Sequence, residues 1–78
     1  MWEVRYSQEA GTYLEDNGQL ITALFFAMES LADSDGIPTN ESFQVINGLM
    51  YWSVHDYGVV YRRIESSEMA RILFIKPK

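Results

Sequence analysis

The chain has no cysteine, one histidine (His55), two prolines and only six basic residues among its 78. Without cysteine there is neither a disulfide nor a thiolate metal site, and one histidine would leave any metal to scattered carboxylates. The lack of cysteine also fits a reducing compartment. No apolar run approaches the roughly 20 residues that span a bilayer. The opening Met1-Trp2-Glu3-Val4-Arg5-Tyr6 lacks the basic start and apolar run of a signal peptide. These absences predict a soluble, cytoplasmic protein with no cofactor, no metal and no membrane partner. Asp33 and Asp35 are spaced like the start of a calcium loop, but the glycine and the distal glutamate that such a loop requires are missing.

What is present is a high apolar content, 47% hydrophobic and 14% aromatic, enough for a packed core rather than a disordered tail. The length predicts a single domain over residues 1–78. One core of this size supplies about 3–5 kcal/mol, which leaves room for a partner to contribute stability.

The net charge of −5 is unevenly spread. Residues 1–41 hold eight acids and one base, whereas residues 42–78 hold three acids and five bases. Two readings follow. The charges are ordinary solvated surface, or they make a two-faced molecule, acidic on a helical side that meets a basic protein and basic on a sheet side that meets phosphates.

Trp2, Val4 and Tyr6 alternate with Glu3 and Arg5, which predicts a half-buried strand over 2–6. Ser7 is a good N-cap for a short helix with Ala10, Tyr13 and Leu14 on one stripe, stopped by Asp16-Asn17-Gly18. A second helix is predicted from about Gln19 to Ala32, because Leu20, Ala23, Leu24, Ala27, Met28 and Leu31 share a stripe that Phe25 and Phe26 widen. The two form a helical hairpin. Pro38 makes the following segment a connector. A strand over Phe43 to Ile46 then meets Asn47-Gly48, the strongest two-residue hairpin signal in the chain, since a type I′ turn needs positive φ at both positions. Strands over Leu49 to His55, Val59 to Glu65 and Met69 to Lys76 complete an antiparallel meander, with turns at Asp56-Tyr57-Gly58 and Ser66-Ser67 and an end at Pro77. The expected fold is α+β, in the order β-α-α-β-β-β with a fourth closing strand, and its helical hairpin packs on one face of a mainly antiparallel twisted sheet.

The run His55-Asp56-Tyr57-Gly58-Val59-Val60-Tyr61-Arg62 resembles the Gly-Asp-Tyr-Arg-Val-Val-Tyr-Arg signature of the RelE/ParE superfamily of toxins from type II toxin–antitoxin pairs. Around it, the first strand Trp2-Glu3-Val4, the helical hairpin ending at Ser30-Leu31-Ala32, and the last strand Arg71-Ile72-Leu73-Phe74-Ile75 with its basic tail are similar to that family over nearly the whole chain. The resemblance implies a RelE/ParE-like fold and a partner antitoxin. It also implies one of two activities: a weak or atypical ribosome-dependent mRNA endoribonuclease that needs no metal, or a non-catalytic protein-binding module acting on a target such as gyrase or on the antitoxin alone.

Cutting RNA without metal needs a group to activate the 2′-hydroxyl, a cation for the phosphorane and an acid for the leaving oxygen. By resemblance the catalytic candidates are Arg62, Lys76 and Lys78, and the RNA-binding candidates are Arg71, Tyr57 and His55. Gly58 stands where the signature has its arginine; Arg62, four residues on and on the same face by alternation, is the substitute. The stretch Leu49-Met50-Tyr51-Trp52-Ser53 stands where active RNases of the family carry a lysine pair. Arg63 faces the other way as a strand-end arginine with its head in water. Tyr51, Trp52, Tyr57 and Tyr61 either stack bases or divide between core and cross-strand pairs; Tyr61 reads as a core residue with its hydroxyl at the rim.

Overall fold

Ser7 ends the first strand and starts the first helix with one side chain. Its Oγ accepts the Ala10 N–H (3.1 Å), the third amide of the helix, and donates to the Leu73 carbonyl (2.6 Å), so helix and sheet are joined at this cap. A computed structural model describes residues 1–17, 22–39 and 42–78. Its elements are β1 (Glu3–Tyr6), α1 (Gln8–Asn17), α2 (Thr22–Glu29), a 3₁₀ turn (Ser30–Ala32), β2 (Phe43–Ile46), β3 (Leu49–Val54), β4 (Tyr57–Ile64), a second 3₁₀ turn (Glu65–Ser67) and β5 (Met69–Pro77).

The architecture is α+β: a helical hairpin packed on a mostly antiparallel, twisted five-stranded sheet in the order β1-β5-β4-β3-β2. The carboxy-terminal four strands form the expected meander. The first strand leaves α1 and α2 to cross over and pairs parallel with the last, Val4 opposite Ala70 and Arg5 opposite Arg71. Asn47 (φ 52°) and Gly48 (φ 80°) make the β2–β3 turn with positive φ at both positions, as the type I′ signal predicts.

Several boundaries differ from expectation. The β3–β4 turn is His55-Asp56, with Val54 opposite Tyr57, so Tyr57 and Gly58 belong to β4; His55 supplies the left-handed residue (φ 52°). The second helix ends at Glu29 and tightens into a 3₁₀ turn through Ala32, and the predicted start at Gln19, with Gly18 and Leu20, lies outside the described residues. Phe25 and Phe26 do not widen the buried stripe. They are 40% and 67% exposed, because only Leu24, Met28 and Leu31 point squarely at the sheet. Strand β5 runs one residue further than expected and stops at Pro77.

The core lies between the helices and one sheet face. Tyr61, Ile72, Val59 and Val54 are fully buried there against Leu24, Met28 and Leu31. The Trp52 and Tyr61 rings meet edge to face, their centroids 6.0 Å apart. Strict alternation along β5 would bury Phe74. Instead Tyr61 pairs with Ile72 and Val60 with Phe74, so Leu73 is an extra residue, a bulge that resets the phase and turns Ile75 inward and Phe74 outward. The bulge carbonyl is the one that the Ser7 hydroxyl holds.

The connector after α2 does more than connect. Asp35 (φ 56°) and Gly36 (φ 77°) form a left-handed corner whose Gly36 carbonyl accepts the buried Tyr61 hydroxyl at 2.7 Å. Arg63 lies beside it, its guanidinium 4.6 Å from the Trp2 ring centroid and its Nε donating to the Asp35 carbonyl (2.7 Å). Arg63 does point away from Arg62, as alternation requires, but its head is stacked and hydrogen-bonded, with Glu65 as its ion-pair partner.

Two tyrosines are held in their neutral form. Burial raises the Tyr6 phenol well above the ordinary value near 10, helped by its hydrogen bond to Glu29 Oε2 (2.6 Å), and burial likewise raises Tyr61, against a smaller lowering by Arg63. Groups whose folded pKa exceeds the unfolded one add stability that is complete below about pH 10 and is lost as the pH climbs beyond it. We therefore expect a plateau in stability to about pH 10 and a cooperative alkaline transition above it. Tyrosinate absorbance should rise in two steps, with Tyr6 and Tyr61 ionising only as the circular dichroism collapses. A single smooth rise, with the fold intact, would contradict this.

Candidate functional site

The sheet face away from the helices is open, and the strand registers decide what it presents. Arg5 on β1 is opposite Arg71 on β5, and Arg71 is opposite Arg62 on β4. Three arginines thus stand in one row across three adjacent strands, each about 5 Å from the next. Arg5 shares Glu3 at 3.3 Å, while Arg62 and Arg71 meet no carboxylate among the described residues. Like charges directly opposite one another destabilise a sheet. A sequence that keeps such a row departs from local stability at one place, which is where a site is to be looked for.

The next row along the strands is apolar: Tyr51 on β3 is opposite Val60, which is opposite Phe74. Tyr51 is 41% and Phe74 44% exposed. They flank a shallow hollow of about 430 Å³ over Gly58 and Val60, with Leu49 and Lys76 also at its wall. Gly58 has no side chain to fill it, and a Cβ there would meet only the Lys76 carbonyl, at 3.9 Å. Lys76, opposite Gly58, lies on this face because the Leu73 bulge reset the phase of β5. The face therefore offers a cationic row, an aromatic-walled hollow beside it, and a lysine at the far side of the hollow.

The sequence-predicted residues are divided between two regions. Arg62, Arg71 and Lys76 share the open face. Arg62 and Lys76 are separated by the hollow, since Gly58 and Arg62 are four residues, roughly 13 Å, apart along β4. Tyr57 pairs with Val54 on the helix side and packs edge to face on Tyr13 (6.4 Å between centroids), so its ring is away from the arginine row. His55 borders a different hollow of about 350 Å³, with Phe26, Ser30, Thr39 and Trp52. Lys78 is tied to the β3–β4 turn: its N–H donates to the Asp56 carbonyl (2.8 Å) and its Nζ to the His55 carbonyl (3.1 Å). Trp52 and Tyr61 are core residues, and the Tyr61 hydroxyl is satisfied inside rather than at the rim.

Sequence reading did not place Arg5 in the site. Its alternation with Trp2 and Val4 puts it on the face opposite the core, but only the parallel pairing of the first and last strands sets it beside Arg71. Phe74 was hidden by the bulge. The acids of α1 and α2 (Glu9, Glu15, Asp16 and Glu29) are exposed on the helical layer, away from the arginine row, whereas Glu3 stands beside Arg5.

Among the described residues no group of three or more His, Cys, Asp or Glu side chains is placed to hold a metal ion, and no helix is long and apolar enough to cross a membrane. The chain matches no family model, and neither a curated protein nor a solved structure matches it.

Proposed function

We propose that the chain is a toxin-like component of a type II toxin–antitoxin pair, of RelE/ParE-like fold, that grips RNA on the open face of its sheet without cutting it. The observation that carries this reading is the Arg5–Arg71–Arg62 row with the Tyr51–Phe74 hollow beside it: cations for successive phosphates and aromatic edges for an unstacked base. A cation row favours a polyanion locally even on a chain of net charge −5, because among the described residues only Glu3 pairs with a member of it.

Binding is favoured over cleavage by what surrounds the row. Arg62 has a second arginine next to it as a charge stabiliser, but the histidine is at the helix-side hollow, Lys78 is engaged with the β3–β4 turn, and Lys76 is across the hollow. A general base and a general acid must both be within about 3 Å of the reacting atoms. The partner in this reading is an antitoxin, and the target is mRNA on the ribosome.

The test is RNA binding as a function of salt. Three phosphate contacts on a single strand give a log–log slope of about −2. The purified protein should bind unstructured RNA with such a slope, and expression should arrest growth without codon-linked cuts in primer extension from translating ribosomes. Cuts that disappear in Arg62→Ala would replace this reading with the nuclease one. Salt-independent or absent RNA binding would leave the protein-binding module of the same fold.

A further inference from the structure

We infer that β2 is a self-association edge through which two copies of this chain join their sheets, antiparallel, about a two-fold axis beside Gln44. The sheet order ends at β2, and all four of its residues are exposed. The opposite edge, β1, carries Glu3 and Arg5, charges of the kind that keep edge strands apart. The β2–β3 hairpin, from Ser42 to Val54, has no charged side chain at all.

The hydrogen-bond phase selects the partner's register. The Ser53 N–H donates to the Ser42 carbonyl, so Ser42, Gln44 and Ile46 direct their backbone groups inward to β3, and Phe43 and Val45 direct theirs outward. In a two-fold pair centred on Gln44, Phe43 of one copy faces Val45 of the other. Each of these residues then exchanges both backbone bonds across the junction, and every outward group of β2 is used. The same register keeps the faces of the two sheets aligned, so Phe43 and Val45, which wall a hollow of about 380 Å³ with Ile37, Met50 and Arg63, meet their counterparts on the helix side. A register centred on Val45 would leave Phe43 opposite the turn residue Asn47.

Charge and area name the occupant. An acidic or basic peptide finds no counter-charge on this hairpin, and two chains of net charge −5 approach each other at least cost through a neutral edge. The exposed parts of Ile37, Phe43 and Val45 on the helix side and of Ile46 on the other face amount to on the order of 350 Å² of apolar surface per copy. With the backbone, Ser42 and Gln44 of both copies, the junction reaches on the order of 1,000 Å², the lower end for a specific interface. This is the size of a reversible dimer. The inference rests on the edge alone and is independent of RNA binding.

Sedimentation equilibrium should show the mass doubling between about 10 μM and 500 μM, as a weak reversible pair with a dissociation constant of roughly 100 μM requires. Val45→Lys, at a position 60% exposed, should shift the dissociation constant upward at least tenfold while leaving the melting temperature of the dilute protein unchanged. Because the chain has no cysteine, Gln44→Cys supplies a single thiol that meets its own copy across the axis in a non-hydrogen-bonded pair, the spacing a disulfide accepts. It should cross-link in mild oxidant at least ten times faster than Thr12→Cys on the exposed side of α1. A monomer at every concentration, or equal cross-linking at the two positions, would overturn the inference.

Discussion

Arg71→Thr should weaken RNA binding by roughly 10- to 100-fold and, at low salt, raise the melting temperature by a few degrees. Arg71 is the middle of the row, with Arg5 on one side and Arg62 on the other. Removing it deletes a charge-assisted phosphate contact of about 1.5–3 kcal/mol and lowers the salt slope by about 0.7. It also relieves two cross-strand repulsions, each on the order of 0.2–1 kcal/mol, and threonine is at home in a strand. A gain near 1 kcal/mol in a chain of this size is worth about 4–8 °C. That gain should shrink as salt screens the row. Thermal melts and filter binding on the same preparation provide the measurement. Lost affinity together with a lowered melting temperature would mean that the row supports the fold rather than a ligand.

Gly36→Ala should remove most of the stability. Gly36 has φ +77°, where an L side chain costs on the order of 1–3 kcal/mol. Its new Cβ would also lie 3.0 Å from Trp2 Cζ3 and 3.2 Å from Arg63 Cγ. Those side chains have little room to yield, since Trp2 is buried and Arg63 is stacked on it. A shift of the corner would in turn pull the Gly36 carbonyl off the Tyr61 hydroxyl and leave that hydroxyl unpaired in the core, a further cost of about 1–3 kcal/mol. Against the ~3–5 kcal/mol expected of a single small core, the variant should lose at least 10 °C in a thermal melt. Gly48→Ala, which has the same sign of φ but open space around it, should lose clearly less. Equal losses at the two glycines would show that backbone strain alone, without the packing against Trp2, sets the cost.

The parts of the fold that were legible in the sequence are those written locally. The Ser7 cap, the Asn47-Gly48 turn and the four carboxy-terminal strands are each decided by a few neighbouring residues, and they stand where local chemistry put them, give or take the ends. What escaped was set at long range. Nothing near Trp2 to Tyr6 says that this strand will lie parallel to the last one, yet that pairing brings Arg5 to Arg71. Phe25 and Phe26 fit an apolar stripe by spacing, but the helix turns Leu24, Met28 and Leu31 to the sheet and leaves both rings exposed. The Asp35-Gly36 corner reads as a plain loop until Tyr61, twenty-five residues later, is found bonded to it. Of the site, alternation placed Arg62, and Arg71 and Lys76 were named by resemblance; the row that Arg62 and Arg71 form with Arg5, the bulge that brings Lys76 to the open face, and the separation of His55 and Tyr57 required the register.

Leu73 gives β5 something like a reading frame. Up to Ile72 the even-numbered residues face the helices, and from Ile75 the odd ones do, so the inserted residue works as a one-step frameshift in side-chain direction rather than in codons. Exchange of Leu73 for another residue leaves the phase untouched. Its excision would close the bulge into regular pairing and keep Phe74 outward, Ile75 inward and Lys76 on the open face, losing only the carbonyl that the Ser7 hydroxyl holds. Removal of Ile75 would instead turn Lys76 toward the helices, so the strand absorbs a change of length at the bulge and nowhere beyond it.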